Sequence, residues 1–483
     1  MRVIFHIDVN SAFLSWTAVK MLSEGGPDIR LVPSIVSGDP SDRRSIVTAA
    51  SIPAKKLGIK TAQPVGMALR TCPNLMIVSG DWAWYKRCSD AFMDICASYS
   101  PVLQKFSIDE CFIDMSLRIG DRDPVAVATA LKDEISSKLG FTVNVGVGSN
   151  KLLAKMASDF EKPDRVHTLW ADEVPEKMWP LGVRDLLWVG KKTEARLVAF
   201  GVNTIGDLAS MSEGTLARIV GKNAAKSLHD SALGLDTSPV ETEVQESKSI
   251  SAERTFPKDI ADHDGLDRAL FNVACIVAHR LRKSGFSTSC VSVFIKYKDF
   301  SVFQRQGRIE HPTDVTALIL FEARRLLYDL WDKSTPVRQI GIALSRLSHE
   351  SVVQMSLFED PKMEYYREWD RDYDERMARK GDARLAAYER KPTSSEGRGT
   401  HDENTLGGDA ENAGGGTPAV AAALEFRYPG REEALAAAKK AVRNVAGRSM
   451  QSRSTPGGGV CFEVKSGTVV LERHIFKPNP KDL

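Results

Sequence analysis

With 483 residues, 42% of them hydrophobic and 27% charged, the chain has the composition of a soluble protein of several domains. At roughly 100 to 200 residues per folding unit it should hold three or four. No apolar run approaches the roughly eighteen residues of a membrane span, and seven cysteines without a C-x-x-C pair fit neither a disulfide framework nor a zinc site, but reduced thiols in a cytoplasm. The net charge of +2 is too mild to argue nucleic-acid binding, so the distribution of charge must carry that question.

The N-terminal stretch MRVIFHIDVNSAFLSW reads as a buried strand and a helix rather than a signal peptide, because Asp8 interrupts the apolar run and no small-residue cleavage site follows. Strand-like and helix-like stretches alternate as far as residue 165, including a helix over about 124–138 and the strand FTVNVGVG, the pattern of an α+β domain. Residues 21–75 carry Gly, Pro, Ser and Asp clusters and predict a small inserted lobe. Between 166 and 238 the strings VGKKTEARL and VGKNAAKSL repeat, which implies duplicated units. Residues 244–350 read strand, helix, strand, strand, helix, strand, the split βαβ order. Residues 359–416 are rich in charge, Gly and Ser and predict a disordered linker. The tail, 417–483, offers an Ala-rich helical segment and a hairpin turning at Ser466 and Gly467, with no assignable role.

Chemistry concentrates at two places. Asp8 ends a strand and is followed by Asn10 and Ser11, residue types suited to cap a helix whose free N–H groups would welcome phosphate oxygens. The string Ser107-Ile108-Asp109-Glu110 lies between two apolar runs and puts two adjacent carboxylates on a hairpin tip. Alone, each has an ordinary reading as a cap or a solvated turn. Together they supply the oxygen ligands that two hard cations need for transfer from a nucleoside triphosphate.

Four strings in this order, FHIDVNSAFLSW, IPAKKLGIKTAQP, FSIDECFIDMS and GVGSNKLLAKMASDFEKP, resemble the motifs of the Y-family DNA polymerases over residues 1–358, within them the DNA polymerase IV group. The resemblance implies a right hand: palm at 1–20 and 76–165, fingers at 21–75, helical thumb at 166–238 and little finger at 244–350. It implies template-directed DNA synthesis past damaged bases, with low fidelity and processivity, and two Mg2+ per active site. Asp8 and Asp109 would bind both ions, the backbone carbonyl of Val9 would add a ligand and Glu110 would complete the catalytic set. Phe13 would be the steric gate whose ring leaves no room for a ribose 2′-hydroxyl. Lys162 and Lys55 match positions that touch the triphosphate; Ile52 stands where many relatives have a tyrosine, and Ser51 is a substitute hydroxyl.

The repeated turns resemble DNA-gripping helix-hairpin-helix elements, with Gly190, Lys191 and Lys192 in the better-formed copy and Gly221 and Lys222 in the second. Lys296 and Lys298 with Arg305 and Arg308 are expected as one basic stripe on a sheet face. Gln354, Leu357 and Phe358, at 351–358, look like the short peptide that bacterial polymerases lodge in the sliding clamp. The expected partners are primer-template DNA, dNTP and the clamp, with no membrane and a monomeric protein. The alternatives are a catalytically inactive polymerase-like accessory protein, disfavoured by retention of all three carboxylates, and a nucleotidyl cyclase, which has no use for the repeats or the clamp peptide.

Overall fold

The computed structural model describes residues 2–39, 45–243, 246–349 and 361–389, and three strands within 448–476; for 361–362, 381–389 and those strands only the backbone is described. Two compact units result, 1–393 and 394–483.

The first unit begins β1 (Ile4–Val9), α1 (Ala12–Ser23), β2 (Ser34–Ser37), β3 (Ala49–Ala50), α2 (Ile52–Lys56), α3 (Val65–Thr71), β4 (Met76–Ser79) and α4 (Trp82–Tyr99). It continues with β5 (Leu103–Lys105), β6 (Glu110–Asp114), α5 (Pro124–Leu139), β7 (Val143–Gly148), α6 (Lys151–Asp159) and β8 (Val166–Leu169). A five-stranded sheet in the order β5-β6-β1-β7-β8 puts β1 at its centre. Alternation along β1 sends Phe5, Ile7 and Val9 into a core with Phe92 and Cys96 of α4 and Leu131 and Ile135 of α5. His6 and Asp8 therefore share the opposite face. The helices carry their own start signals: Asp81 caps α4, Asp123 and Pro124 open α5, and the Asn150 side chain accepts the Leu153 N–H at 2.8 Å at the head of α6.

The glycines of β7 explain how α6 approaches this face so closely. A Cβ at Gly146 would collide with the Ala154 carbonyl and the Ser158 amide, and one at Gly148 would stand 2.8 Å from the Ala154 nitrogen. The inserted lobe is a second sheet, β3-β2-β4. It runs past the expected boundary at 75, since Met76–Ser79 pairs in parallel with β2.

Next come α7 (Lys191–Ala199), α8 (Ile205–Ala209), α9 (Glu213–Val220) and α10 (Lys222–Ala232), whose core is continuous with Leu153 and Met156 of α6. Then β9 (Ser249–Ile260), α11 (His263–Lys283), β10 (Ser287–Tyr297), β11 (Val302–Thr313), α12 (Thr316–Leu330) and β12 (Val337–Ser348) make the expected split βαβ unit, with strand order β11-β10-β12-β9. Both helices cover one face, burying Leu270, Val277, Ile319 and Leu326 against Val291, Val293 and Ile295.

The expected linker at 359–416 is corrected over its first half, which forms α13 (Pro361–Glu389). Its charge is high, but four-residue spacing brings Trp369 and Tyr373 to one side, and Trp369 meets Phe271 at 5.9 Å. On the same side Arg282 of α11 is gripped by Asp374 at 2.6 Å and by Asp370 at 3.2 Å, while Asp370 accepts the Thr316 amide at 3.1 Å. The expected clamp-binding peptide at 351–358, the rest of the expected linker and the Ala-rich segment lie outside the described residues. In the second unit the expected hairpin, β14 (Val460–Ser466) with β15 (Val469–Phe476), is joined by β13 (Arg448–Ser454) in a three-stranded sheet. Among the described residues no helix is long and apolar enough to cross a membrane.

Candidate active site

Register assembles the carboxylates. Asp8 pairs opposite Glu110, and the Val9 N–H donates to the Asp109 carbonyl at 3.0 Å, tying the end of β1 to the hairpin tip. Ser107 secures that tip: its hydroxyl donates to the Asp109 carboxylate at 2.6 Å and accepts the Asp109 N–H at 3.2 Å. A cavity of about 610 Å³ opens here, with Asp8, Val9, Phe13, Lys55, Asp109 and Lys162 on its walls. Residues as far apart in sequence as Asp8 and Lys162, 154 positions, thus line one space.

Glu110 turns away from it. Its Oε2 receives Lys155 Nζ at 2.7 Å and His6 Nε2 at 3.0 Å, and His6 Nδ1 lies 2.8 Å from the Ser158 hydroxyl. Burial alone would raise the Glu110 carboxyl, but the His6 and Lys155 hydrogen bonds overcome it and hold it at about 2. Asp109 is pushed the other way, above the ordinary carboxylate value, by burial and by the charges of Asp8 and Glu110, against the Ser107 hydrogen bond. Asp8 is paired with Lys162, which also reaches Asp159 at 2.7 Å. Burial opposes the Lys162 charge, yet these two carboxylates hold its pKa above the usual lysine value.

Among the described residues no three ligand-type side chains stand ready around one point. The donor set nonetheless fits a hard divalent cation: oxygen atoms only, one carboxylate crowded by like charges, and another balanced by a lysine that a cation would displace.

Phe13 rises from the first turn of α1 to the cavity. Its ring stacks on Tyr85 at 4.9 Å and meets Trp82 edge-on at 5.3 Å, and the Tyr85 hydroxyl is held 2.7 Å from that of Thr17. Asn10 and Ser11 do not cap the helix as expected. Ser11 sits in the left-handed region, φ 50°, with no capping bond, and instead accepts Lys55 Nζ at 2.8 Å. Asn10 is buried: its amide donates to Asn144 at 3.0 Å and its oxygen accepts the Thr142 hydroxyl and the Asp164 amide, each at 3.0 Å. Ser51 is also corrected. It is 1% exposed, and its hydroxyl donates to the Val32 carbonyl while accepting the Ser34 and Ala54 amides, so it holds the lobe together and has nothing left for a ligand. His6 and Lys155 were missed; His6 was legible, two residues from Asp8 on the same strand face.

The outer candidates are less unified. Gly221 joins α9 directly to α10 at φ 90°, a conformation that favours glycine, and Lys222 opens the next helix. Gly190, expected in the better-formed turn, heads α7 after an irregular approach; it has φ −83° and room for a side chain, with the Arg184 guanidinium 4.0 Å from where a Cβ would stand and Lys191 and Lys192 exposed beyond. The single basic stripe does not form. Arg305 pairs opposite Val293, which faces the helices, and reaches Asp329 of α12 at 3.4 Å, whereas Arg308 pairs opposite Cys290 and shares the outer face with Lys296. Lys298 lies beyond the end of β10, its amide bonded to the Pro336 carbonyl at 3.2 Å.

Fold and site together define a Y-family polymerase. A solved Y-family DNA polymerase chimera of Dbh and Dpo4 superposes with a TM-score of 0.63 at 23% identity, over 71% of this chain and 99% of that one. Family models described as impB/mucB/samB family and its C-terminal domain match residues 7–159 and 247–357. The DNA polymerase IV of Clostridium acetobutylicum is 37% identical over 74% of this chain and 90% of its own, and the DNA polymerase IV 1 of Bacillus subtilis 32% over 79% and 92%. The chain belongs to the impB/mucB/samB family, in the DNA polymerase IV group of the Y-family, and is a DNA-directed DNA polymerase.

Proposed function

We propose that this polymerase performs translesion synthesis by two-magnesium phosphoryl transfer from dNTP to a primer 3′-hydroxyl, tethered to the sliding clamp. The observation that carries the reading is one cavity lined by Asp8, Asp109, Phe13, Lys55 and Lys162: acids for cations, an aromatic floor and two lysines for a triphosphate. Asp8, Asp109 and the Val9 carbonyl would hold the ions, with Glu110 beside them. Bound magnesium would acidify the primer hydroxyl and offset charge on the leaving pyrophosphate.

The protein's own part is orientation. Lys155 and His6 keep Glu110 ionised and fix its carboxylate in place beside the cavity. Lys162 neutralises Asp8 until a cation does so, and is then available to the triphosphate with Lys55, each as a point charge rather than a fork. Phe13, backed by Tyr85 and Trp82, cannot yield to a 2′-hydroxyl. Isoleucine at 52 cannot hydrogen-bond a phosphate, which leaves that work to the lysines. In this reading the five-stranded sheet is the palm, the inserted lobe the fingers, α7–α10 the thumb and the split βαβ unit the little finger. Gln354, Leu357 and Phe358 would hold the clamp, and the protein would act as a monomer in the cytoplasm.

Primer extension on undamaged and lesion-bearing templates tests the proposal. We expect extension past the lesion with the wild type, and at least a thousandfold less incorporation with Asp109→Ala, about 4 kcal/mol in barrier, while DNA binding persists. Undiminished incorporation by Asp109→Ala would overturn the metal assignment.

A further inference from the structure

Between the catalytic hairpin and the Gly190 turn lies a second cavity, of about 520 Å³, with Phe106 and Trp188 on its wall. Phe106 opens the hairpin, its N–H donating to the Glu110 carbonyl at 3.0 Å. Its ring stands edge-on to Phe112 of β6 at 5.3 Å, and Trp188 meets it edge-on at 6.3 Å. Phe112 is 3% exposed. The row of rings therefore starts in the protein interior two residues from Glu110 and ends two residues before Gly190.

Its outer end stays open: Phe106 is 39% and Trp188 73% exposed. Trp188 also adopts φ 72°, a conformation that bulky side chains avoid and that gathers at functional sites. Lys151 and Lys226 share the wall, Lys226 bonded to Asp230 at 2.8 Å and Lys151 to Gln104 at 3.0 Å. A large aromatic is thus held out in a strained turn, against the catalytic hairpin and beside two cations.

We propose that Phe106 and Trp188 form an aromatic shelf for the deoxyribose of the primer strand just before its 3′ end. The inference rests on the polymerase reading above and deepens it. A primer whose terminal hydroxyl lay at Asp109 and whose backbone ran on to the exposed Lys191 and Lys192 at the head of α7 would cross this row. In a duplex the bases are occupied by one another, so the part offered to the shelf is the apolar C–H face of a sugar, the same for every sequence. Trp188 is then a positioning residue that fixes the spacing between the lysines at the head of α7 and the reacting hydroxyl.

Trp188→Gly is the informative variant, because glycine accepts φ 72° and removes the ring without adding backbone strain. DNA affinity and single-turnover incorporation are measured for it and the wild type, on a normal primer and on one whose penultimate deoxyribose is a flexible propanediol spacer. We expect Trp188→Gly to weaken binding of the normal primer roughly tenfold, within the range for losing one aromatic platform. We expect little further loss from the spacer in that variant, although the spacer weakens the wild type, and Trp188→Phe should recover part of the affinity. Additive losses, or a variant equal to the wild type, would overturn the shelf and leave the polymerase reading standing. No extension by the wild type would remove both.

Discussion

The steric gate proposed for Phe13 would work only if the ring cannot move, and Phe13 is supported accordingly. Tyr85 stacks beneath its ring, Trp82 closes one edge, and Thr17 holds the Tyr85 hydroxyl, so α1 and α4 together fix a ring that the first turn of α1 presents. Phe13→Ala should lower discrimination against ribonucleotides by about two orders of magnitude, ~3 kcal/mol, in single-turnover assays, and unchanged discrimination would remove Phe13 from this role. At this scale the sequence was informative where neighbouring residues have one spatial outcome. The backbone positions of Asp8, Asp109 and Glu110 are adjacent because a strand and a hairpin in antiparallel register leave them no alternative. Ser51 was misread because a hydroxyl next to Ile52, where many relatives carry a tyrosine, looks available until the backbone atoms around it are seen to use it.

At the scale of elements the determining features are close approaches and face choices. Gly146 and Gly148 let α6 lie on β7, and α6 carries Lys155 and Ser158 to the network around Glu110. Gly146→Ala should therefore destabilise the domain by about 3 kcal/mol, at the upper end for overpacking, because the obstructing atoms are backbone. Chemical denaturation would register it as a lower midpoint. The string GVGSN was legible as a resemblance; why it needs glycine was not, since the obstacles a side chain at Gly146 would meet, Ala154 and Ser158, belong to another element. The reverse failure is α13. Its composition argued for disorder, while Trp369, Asp370, Tyr373 and Asp374 repeat with a helical period that offers Arg282 two carboxylates.

For the whole molecule, the family models match residues 7–159 and 247–357 and stop there, and relatives cover about three quarters of the chain. Replacing Leu357 and Phe358 by alanine should bring the ratio of clamp-stimulated to unstimulated synthesis down to one, measured with and without the clamp on a primed circle. A ratio unchanged from the wild type would refute the tether. The proposed tether would raise the local concentration of primer ends. The separation of the two arginines across β11 has a thermodynamic consequence. One counterion leaves DNA for each phosphate neutralised, and of this pair only Arg308 faces outward with Lys296. In a plot of log affinity against log salt, Arg308→Ala should flatten the slope by about one unit, whereas Arg305→Ala should leave it parallel to the wild type.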